Sequence, residues 1–220
     1  MDAAAGHHGG VTLKRIVFHF DPISPFVHLA FERLPQELEG CSYEVEYRPL
    51  LFAGLLKAHA HKGPAEIEPK RQWTFRHVHW LAASHGIELQ TPAQHPFNPL
   101  PLLRLALAAG PNRRVVQALL RHVWVGGNDA NDPARLAALH QQLAPARDPD
   151  GDEVKAELRV LTERAVAEGL FGVPTFTLQG RHFWGLDALP MLRDALQGGA
   201  WFDGAAWADA AAPRGGIVRR

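Results

Sequence analysis

Strand-forming sequence lies at the two ends of this chain and is separated by a long stretch that favours helices. Residues 11–49 contain a buried apolar run, a helical segment and an alternating segment, which together predict β-α-β. Residues 171–200 predict two short strands joined by a Gln-Gly turn, followed by a helix. Residues 50–170 are rich in Ala, Leu, Arg and Gln, which are strong helix formers. A sheet made from both ends must therefore accommodate a long helical insertion.

The order β-α-β followed by β-β-α is that of the thioredoxin fold, which sets the expected domain organisation. We expect a thioredoxin-like α/β domain made of two segments, 11–49 and 171–200. Residues 50–170 are expected to form an inserted helical domain. Residues 1–10 are small and polar and predict a disordered tail, and residues 201–220 are assigned to a C-terminal tail.

The composition excludes several classes of function. The 23 basic and 23 acidic residues balance, so no electrostatic feature predicts a nucleic-acid or membrane-surface partner. No apolar run is long enough for a membrane span, and no export signal is recognised. The single cysteine, Cys41, cannot form an internal disulfide or a thiol-rich metal site, and the histidine spacing predicts no metal site either. We therefore expect a cytoplasmic protein.

The segment after the first strand carries the first chemical feature, Ser24 followed by Pro25. A redox enzyme of this fold would have cysteines at the positions of Ser24 and Val27, so disulfide exchange at this site is excluded. Ser24 has two interpretations. It is a good N-cap residue, and its hydroxyl could also donate to a thiolate held at the positive end of the helix.

The second chemical feature is a proline at the start of a predicted strand, in the sequence Val173-Pro174. Proline in this position suits a simple strand entry or a cis peptide bond. With a cis bond, the backbone N–H and C=O of Val173 would be free to pair with an extended peptide. Glutathione is such a peptide.

Together these two features carry a family resemblance. The Phe-x-Phe-Asp-x-x-Ser-Pro-Phe pattern at Phe18–Phe26 and the Phe-Gly-Val-Pro-Thr-Phe to Phe-Trp-Gly-x-Asp run at Phe171–Asp187 resemble 2-hydroxychromene-2-carboxylate isomerases. These enzymes are related to kappa-class glutathione transferases and have a DsbA-like thioredoxin fold. The resemblance covers roughly residues 13–196, and its two ends are specific in combination.

The resemblance implies that glutathione is the cofactor and assigns residues to it. Ser24 would be the catalytic residue that hydrogen-bonds the glutathione sulfur. The backbone of Val173 would pair with the cysteinyl part beside the cis proline Pro174. Asp187 would meet the γ-glutamyl end, and a helix N-cap role can coexist with that contact.

Three further positions complete the expected site, two of them from the same resemblance. Lys70 stands where the family usually has a lysine that helps hold the site, and His61 stands where it often has asparagine, so both are expected to bind the cofactor. Asn98 is a candidate for binding the substrate carboxylate or carbonyl.

The implied activity is a glutathione-dependent isomerisation. A small aromatic substrate, a 2-hydroxychromene-2-carboxylate, would be interconverted with a trans-o-hydroxybenzylidenepyruvate by reversible thiolate addition, in aromatic catabolism and in a homodimer. Two alternatives stay open, a kappa-like glutathione transferase and a non-catalytic peptide-binding module. The latter is favoured by Ala188, His77 and Trp80, which replace charged residues usual in the family.

Overall fold

One mixed sheet of four strands organises the part of the chain that the structure describes. The computed structural model describes residues 13–212. The strands are β1 (Lys14–Phe20), β2 (Tyr43–Pro49), β3 (Thr175–Leu178) and β4 (Arg181–Trp184). They lie in the order β2-β1-β3-β4, in which β1 pairs parallel with β2 and antiparallel with β3, and β3 and β4 form a hairpin. The two ends of the chain thus share one sheet, as the sequence predicts.

Helices make up most of the remainder. Within residues 13–212 the α-helices are α1 (Pro25–Glu37), α2 (Phe52–Ala58), α3 (Glu68–His85), α4 (Leu100–Ala109), α5 (Arg113–Trp124), α6 (Pro133–Leu143), α7 (Asp152–Ala167), α8 (Leu189–Leu196), α9 (Ala200–Asp203) and α10 (Ala205–Ala210). Helices α2 to α7 all fall between β2 and β3. This arrangement confirms the α/β fold with a large helical insertion. In the part of the chain that is described, no helix is both long and apolar enough to span a membrane.

The central strand β1 is apolar because it is covered on both faces. Phe18 is completely buried, and its ring stacks on Phe176 of β3 at a centroid distance of 4.7 Å. Tyr47 of β2 meets the same ring edge-on at 5.8 Å. Continuous apolar sequence is expected of a parallel strand that is buried on both faces. The fold of β1 therefore follows directly from its sequence.

The helical insertion packs on the sheet through a shared core. One buried apolar cluster includes sheet residues such as Phe18 and Phe176 together with Val78, Leu119 and Trp124 from α3 and α5. A second, smaller cluster joins α4 and α7. Because burial of apolar area is the main stabilising term, the sheet and the insertion stabilise each other.

The C-terminal segment differs from the sequence prediction. Residues 201–220 were expected to be a tail, but helices α9 and α10 continue to Ala210. Phe202 is buried against Phe183 of β4 at a centroid distance of 5.9 Å, and Trp207 lies 6.1 Å from the same ring. Aromatic contacts of this kind stabilise the short helices. The predicted N-terminal tail, residues 1–10, lies outside the described residues, as do residues 213–220.

A hydrogen-bonded chain of side chains crosses the sheet from His182 of β4 to the buried His19 of β1. His182 donates from Nε2 to the Glu168 carbonyl at 3.0 Å, so its Nδ1 accepts from the Thr177 hydroxyl at 2.9 Å. The Thr177 oxygen in turn accepts from Nε2 of His19 at 3.0 Å. His19 Nδ1 is buried without a partner among the described residues. Protonation there would bury an unsatisfied charge, and burial, with a smaller effect of Arg48, lowers the pKa of His19 from 6.5 to about 4.

The His19 environment predicts a loss of stability in mild acid. The folded pKa lies below the unfolded pKa, so the native state binds fewer protons and its stability falls as the pH drops below 6.5. Between about pH 7 and about pH 5.5, His19 should account for about 1 kcal/mol of this loss. Urea unfolding of wild type and His19→Gln at both pH values measures it. Equal losses in the two proteins would contradict the assignment, and exposed His140→Gln is the control.

Candidate active centre

Ser24 occupies the position between β1 and α1 that the sequence predicts, but its hydroxyl does not cap the helix. It is the N-cap residue of α1 by position, with Pro25 as the first helical residue, and no backbone N–H of the helix is bonded to its side chain. The hydroxyl instead lies 3.5 Å from the carbonyl oxygen of Val173, at the long limit of a hydrogen bond. Ser24 is 9% exposed. The hydroxyl is therefore free to donate to another acceptor.

The start of α1 provides a second hydrogen-bond donor, a backbone N–H, beside this hydroxyl. Pro25 has no N–H, and the N–H of Val27 bonds to the Ser24 carbonyl at 3.1 Å. The N–H of Phe26 has no acceptor among the described residues. The positive end of the 13-residue helix α1 thus lies beside an uncommitted hydroxyl and an uncommitted amide.

Val173 and Pro174 form the opposite side of the centre. Their peptide bond is cis. The N–H of Val173 has no acceptor within residues 13–212, whereas the Pro174 carbonyl accepts from Gly185 at 2.9 Å. Gly172 precedes this pair, and a side chain there would collide with the indole of Trp184. The N–H of Val173 therefore remains available to pair with a ligand.

A cavity of about 490 Å³ adjoins these groups, between α1, α3 and the loop that follows β4. Its lining comprises Phe26, Arg33, Glu37, His77, Leu81, His85, Val173, Pro174, Trp184, Gly185, Leu186, Asp187 and Pro190. Ser24 is not part of the lining but adjoins it through Val173 and Phe26. Arg33 is paired with Glu37, which leaves Asp187 as an acidic side chain without a partner among the described residues. The cavity is thus largely apolar, with a few polar groups near the Ser24 end and along its rim.

Asp187 lines the cavity and does not act as a helix cap. It lies in a short 3₁₀ helix, Leu186–Ala188, and is exposed. The N-cap position of α8 belongs to Ala188, and Asp187 makes no capping bond. The N-cap role is therefore wrong, and the Asp187 carboxylate is available to receive a cation.

Lys70, His61 and Asn98 do not line the cavity. Lys70 is exposed in the first part of α3, two turns before His77 and about 10 Å from it along the helix axis. His61 is exposed in the turn after α2. Lys70 and His61 were expected at the ligand because the resemblance assigned them by position along the chain, and Asn98 was expected to bind the substrate.

Asn98 has a structural role in place of the expected contact with substrate. Its Oδ1 accepts from the Leu100 N–H at 3.1 Å at the start of α4. Its backbone N–H donates to Asn131 Oδ1 at 3.2 Å, and Asn131 Nδ2 donates to its carbonyl at 2.9 Å. These bonds join the start of α4 to the loop before α6 and engage Oδ1 of the Asn98 side chain.

Asp21 is a residue of the centre whose role the sequence reasoning missed. Its side chain is completely buried; Oδ1 accepts from the Ile23 N–H at 3.0 Å and Oδ2 accepts from the Phe52 N–H at 2.9 Å. Burial raises the pKa of Asp21 from 3.8 to about 7, against the two backbone bonds, which lower it. An Asp followed by Pro and a turn residue was a usable indication of an Asx turn. The bond to Phe52 in α2 could not be read from the sequence.

An exposed row of aromatic side chains on α3 borders the cavity. Trp73 and Trp80 are 66% and 65% exposed, and the His77 ring lies between them with centroid distances of 6.1 and 6.4 Å. Phe26 meets His77 edge-on at 6.0 Å. On the other rim, Trp184 is half exposed. Aromatic groups thus face the cavity from two sides, which suits a flat, apolar ligand.

Comparison with known proteins gives a consistent relationship. A family model described as a DSBA-like thioredoxin domain matches residues 15–197. The 2-hydroxychromene-2-carboxylate isomerase of Sphingobium xenophagum is 28% identical over 191 residues, covering 83% of this chain and 98% of the relative. Glutathione S-transferase kappa 2 of Caenorhabditis elegans is 23% identical over 207 residues, covering 83% and 92%. A solved structure of a 2-hydroxychromene-2-carboxylate isomerase shares the fold with a TM-score of 0.75 at 22% identity, over 90% of this chain and 100% of that one.

Proposed function

The chain belongs to the family of DSBA-like thioredoxin domains, and we propose that within this family it is a glutathione-dependent isomerase. The proposed reaction interconverts a 2-hydroxychromene-2-carboxylate and a trans-o-hydroxybenzylidenepyruvate. The relatives that bear the isomerase name support this proposal, as does the relationship to kappa transferases. The observation that carries it is the uncommitted Ser24 hydroxyl at the start of α1, opposite the free Val173 N–H.

The centre has no thiol of its own, which makes an external thiol necessary for sulfur chemistry. Ser24 and Val27 stand where a redox enzyme of this fold would have cysteines. The single cysteine, Cys41, follows the far end of α1, and a 13-residue helix is about 20 Å long. Cys41 is therefore too distant to act at Ser24.

The residues around the cavity fit glutathione on three observations. The volume of about 490 Å³ lies within the range of roughly 300–1,000 Å³ that small ligands occupy. The Val173 N–H can pair with the backbone of an extended peptide. The Asp187 carboxylate can receive the α-amino group of a γ-glutamyl residue. The proposal thus rests on Ser24, Val173, Pro174 and Asp187, and it assigns no role to Lys70, His61 or Asn98.

The chemistry divides between the ligand and the chain. When bound, glutathione supplies a sulfur nucleophile that adds to the conjugated double bond, allows rotation and leaves unchanged. Ser24 donates its hydroxyl proton in a hydrogen bond to the sulfur anion, without transferring it. The Phe26 amide and the positive end of α1 favour the same anion and lower the pKa of the thiol. Phe26, His77 and Trp184 provide apolar surface for the aromatic ring of the substrate.

One experiment separates this proposal from its rivals. The purified chain is applied to immobilised glutathione and is then assayed by absorbance with a benzylidenepyruvate and with a halogenated aryl acceptor. Isomerisation without consumption of glutathione supports the proposal. Conjugation of the aryl acceptor would indicate a transferase, an activity that the name of the kappa relative favours. Absence of retention and of both activities would leave a non-catalytic module and would refute the proposal.

Asp187 provides a test of glutathione binding. Asp187→Asn removes the negative charge, and loss of one charge-assisted hydrogen bond at this exposed position should raise the Kd for glutathione about tenfold. Calorimetric titration measures it. Asp152→Asn on α7 is the matched control, since Asp152 is exposed and is not part of the cavity lining.

A ligand variant shows whether the amino group is the partner. A glutathione analogue without the α-amino group should bind wild type about tenfold more weakly and should bind Asp187→Asn no more weakly than glutathione does. Additive losses would show that Asp187 meets another part of the ligand.

A further inference from the structure

The loop that carries Ser24 is held by side chains from the helical insertion. Its first residue, Asp21, fixes the Ile23 N–H, and the Asp21 carbonyl accepts from the Ser24 N–H at 3.1 Å. These local bonds leave the carbonyls of Pro22 and Ile23 to be satisfied from elsewhere. Both find donors in the insertion, and both donors are aromatic side chains.

Trp124 holds the first of these carbonyls. It is the last residue of α5 and is completely buried. Its Nε1–H donates to the Pro22 carbonyl at 2.9 Å. The bond spans 102 residues of sequence and ends two residues before Ser24.

His95 holds the second carbonyl. Its Nε2 donates to the Ile23 carbonyl at 2.9 Å, directly before Ser24. The ring is fixed edge-on against Phe75 and Phe97 at centroid distances of 5.2 and 6.1 Å, and it lies 5.8 Å from Trp124. Its Nδ1 is buried without a partner among the described residues, and burial lowers the pKa of His95. The imidazole is therefore a neutral donor near neutral pH.

We propose that Trp124 and His95 are positioning residues. By fixing the loop, they hold the Ser24 hydroxyl opposite the Val173 backbone, at the place where it can donate to the sulfur of the ligand. This inference rests on the role proposed for Ser24. Trp124 is buried and His95 is half-buried. They contact the loop through its two consecutive carbonyls, so they restrict the position of the following residue directly. The inserted helices then contribute to the catalytic geometry as well as to the wall of the cavity.

The test uses variants that remove the donated hydrogen bonds, with thermal unfolding as the measure of any accompanying loss of packing. Trp124→Phe and His95→Phe retain an aromatic ring in the core, and His95→Gln restores an N–H at the place of Nε2. Trp201→Phe and His140→Phe are the matched controls, since both residues are exposed and neither bonds to the loop. The measurements are kcat/KM for isomerisation, the pKa of bound glutathione from its thiolate absorbance, and thermal unfolding.

Trp124→Phe and His95→Phe should each lower kcat/KM by roughly tenfold to a hundredfold, because small misplacements of a catalytic group have effects of this size. The pKa of the bound thiol should rise in both, which a purely structural role would not cause. His95→Gln should recover most of the loss, and both control variants should match wild type.

The possible results separate the two proposals. If Trp124→Phe and His95→Phe show the same thiolate absorbance as wild type, the positioning role is overturned and the function of Ser24 is left intact. The absence of any bound thiolate in wild type would overturn both. If Trp124→Phe fails to fold, the comparison of His95→Phe with His95→Gln decides, since failure of His95→Gln to recover the rate and the thiol pKa would also overturn the inference.

Discussion

Ser24→Ala should lower kcat of the proposed isomerisation roughly 10²-fold to 10³-fold, the effect of losing one donor to a developing anion. The physical reason is that the Ser24 hydroxyl makes no capping bond and only a long contact with the Val173 carbonyl, so its hydrogen bond is available to the sulfur anion. Without it, the pKa of the bound thiol should rise. Steady-state kinetics and thiolate absorbance of the bound glutathione measure the two effects.

The same variant distinguishes catalysis from helix capping. An N-cap serine contributes about 1 kcal/mol, so a capping role would predict that much loss of stability on substitution. Because no cap bond is present, we expect the free energy of unfolding of Ser24→Ala to differ from wild type by less than about 0.5 kcal/mol. Ser42→Ala, at an exposed serine before β2, is the control. A full rate combined with lower stability would assign Ser24 to capping alone.

As the pH rises from about 5 to about 8, the free energy of unfolding of Asp21→Asn should increase relative to that of wild type by about 2–3 kcal/mol. Burial raises the folded pKa of Asp21 from 3.8 to about 7. The native state therefore binds more protons than the unfolded state between these values. The stabilising contribution of the protonated carboxyl is complete below 3.8 and is lost as the pH rises through 7. Asparagine does not titrate and should not show this loss.

Comparing the two proteins at each pH isolates Asp21. Buried histidines such as His19 and His28, whose pKa values are lowered by burial, change stability with the opposite sign. Their contributions are the same in wild type and in the variant and cancel in the difference. Urea unfolding at several pH values measures that difference, with exposed Asp152→Asn as the control. A difference that stays constant from pH 5 to pH 8 would show that Asp21 is ionised throughout.

Local sequence predicted the elements of the fold because short-range preferences agree with the tertiary structure. The apolar run of β1 is buried on both faces, and the alternating Tyr43 to Tyr47 segment forms β2. The C-terminal segment was missed because its helices are short and depend on Phe202 and Trp207 packing against β4. Helices of a few residues are unstable alone, so packing decides whether they form.

The candidate centre was predictable where its residues are neighbours in sequence. Ser24 lies at the junction of β1 and α1, and Pro174 lies at the entry of β3, so each could be located from its own segment. Lys70 and Asn98 were assigned by position along the chain, and they lie outside the cavity lining. Positions in a helical insertion have no fixed distance from the sheet until the helices pack.

The sequence by itself determined the α/β fold with its insertion, the absence of a thiol at the end of the first strand, and the presence of a hydroxyl there. Only the tertiary structure decided that this hydroxyl is free of the helix, and that Asp21, His95 and Trp124 hold its loop. The physical reason is the range of the interactions. Strand and helix preferences act over a few residues, whereas the bonds of Trp124 to Pro22 and of His95 to Ile23 join residues 102 and 72 positions apart, which only folding brings together.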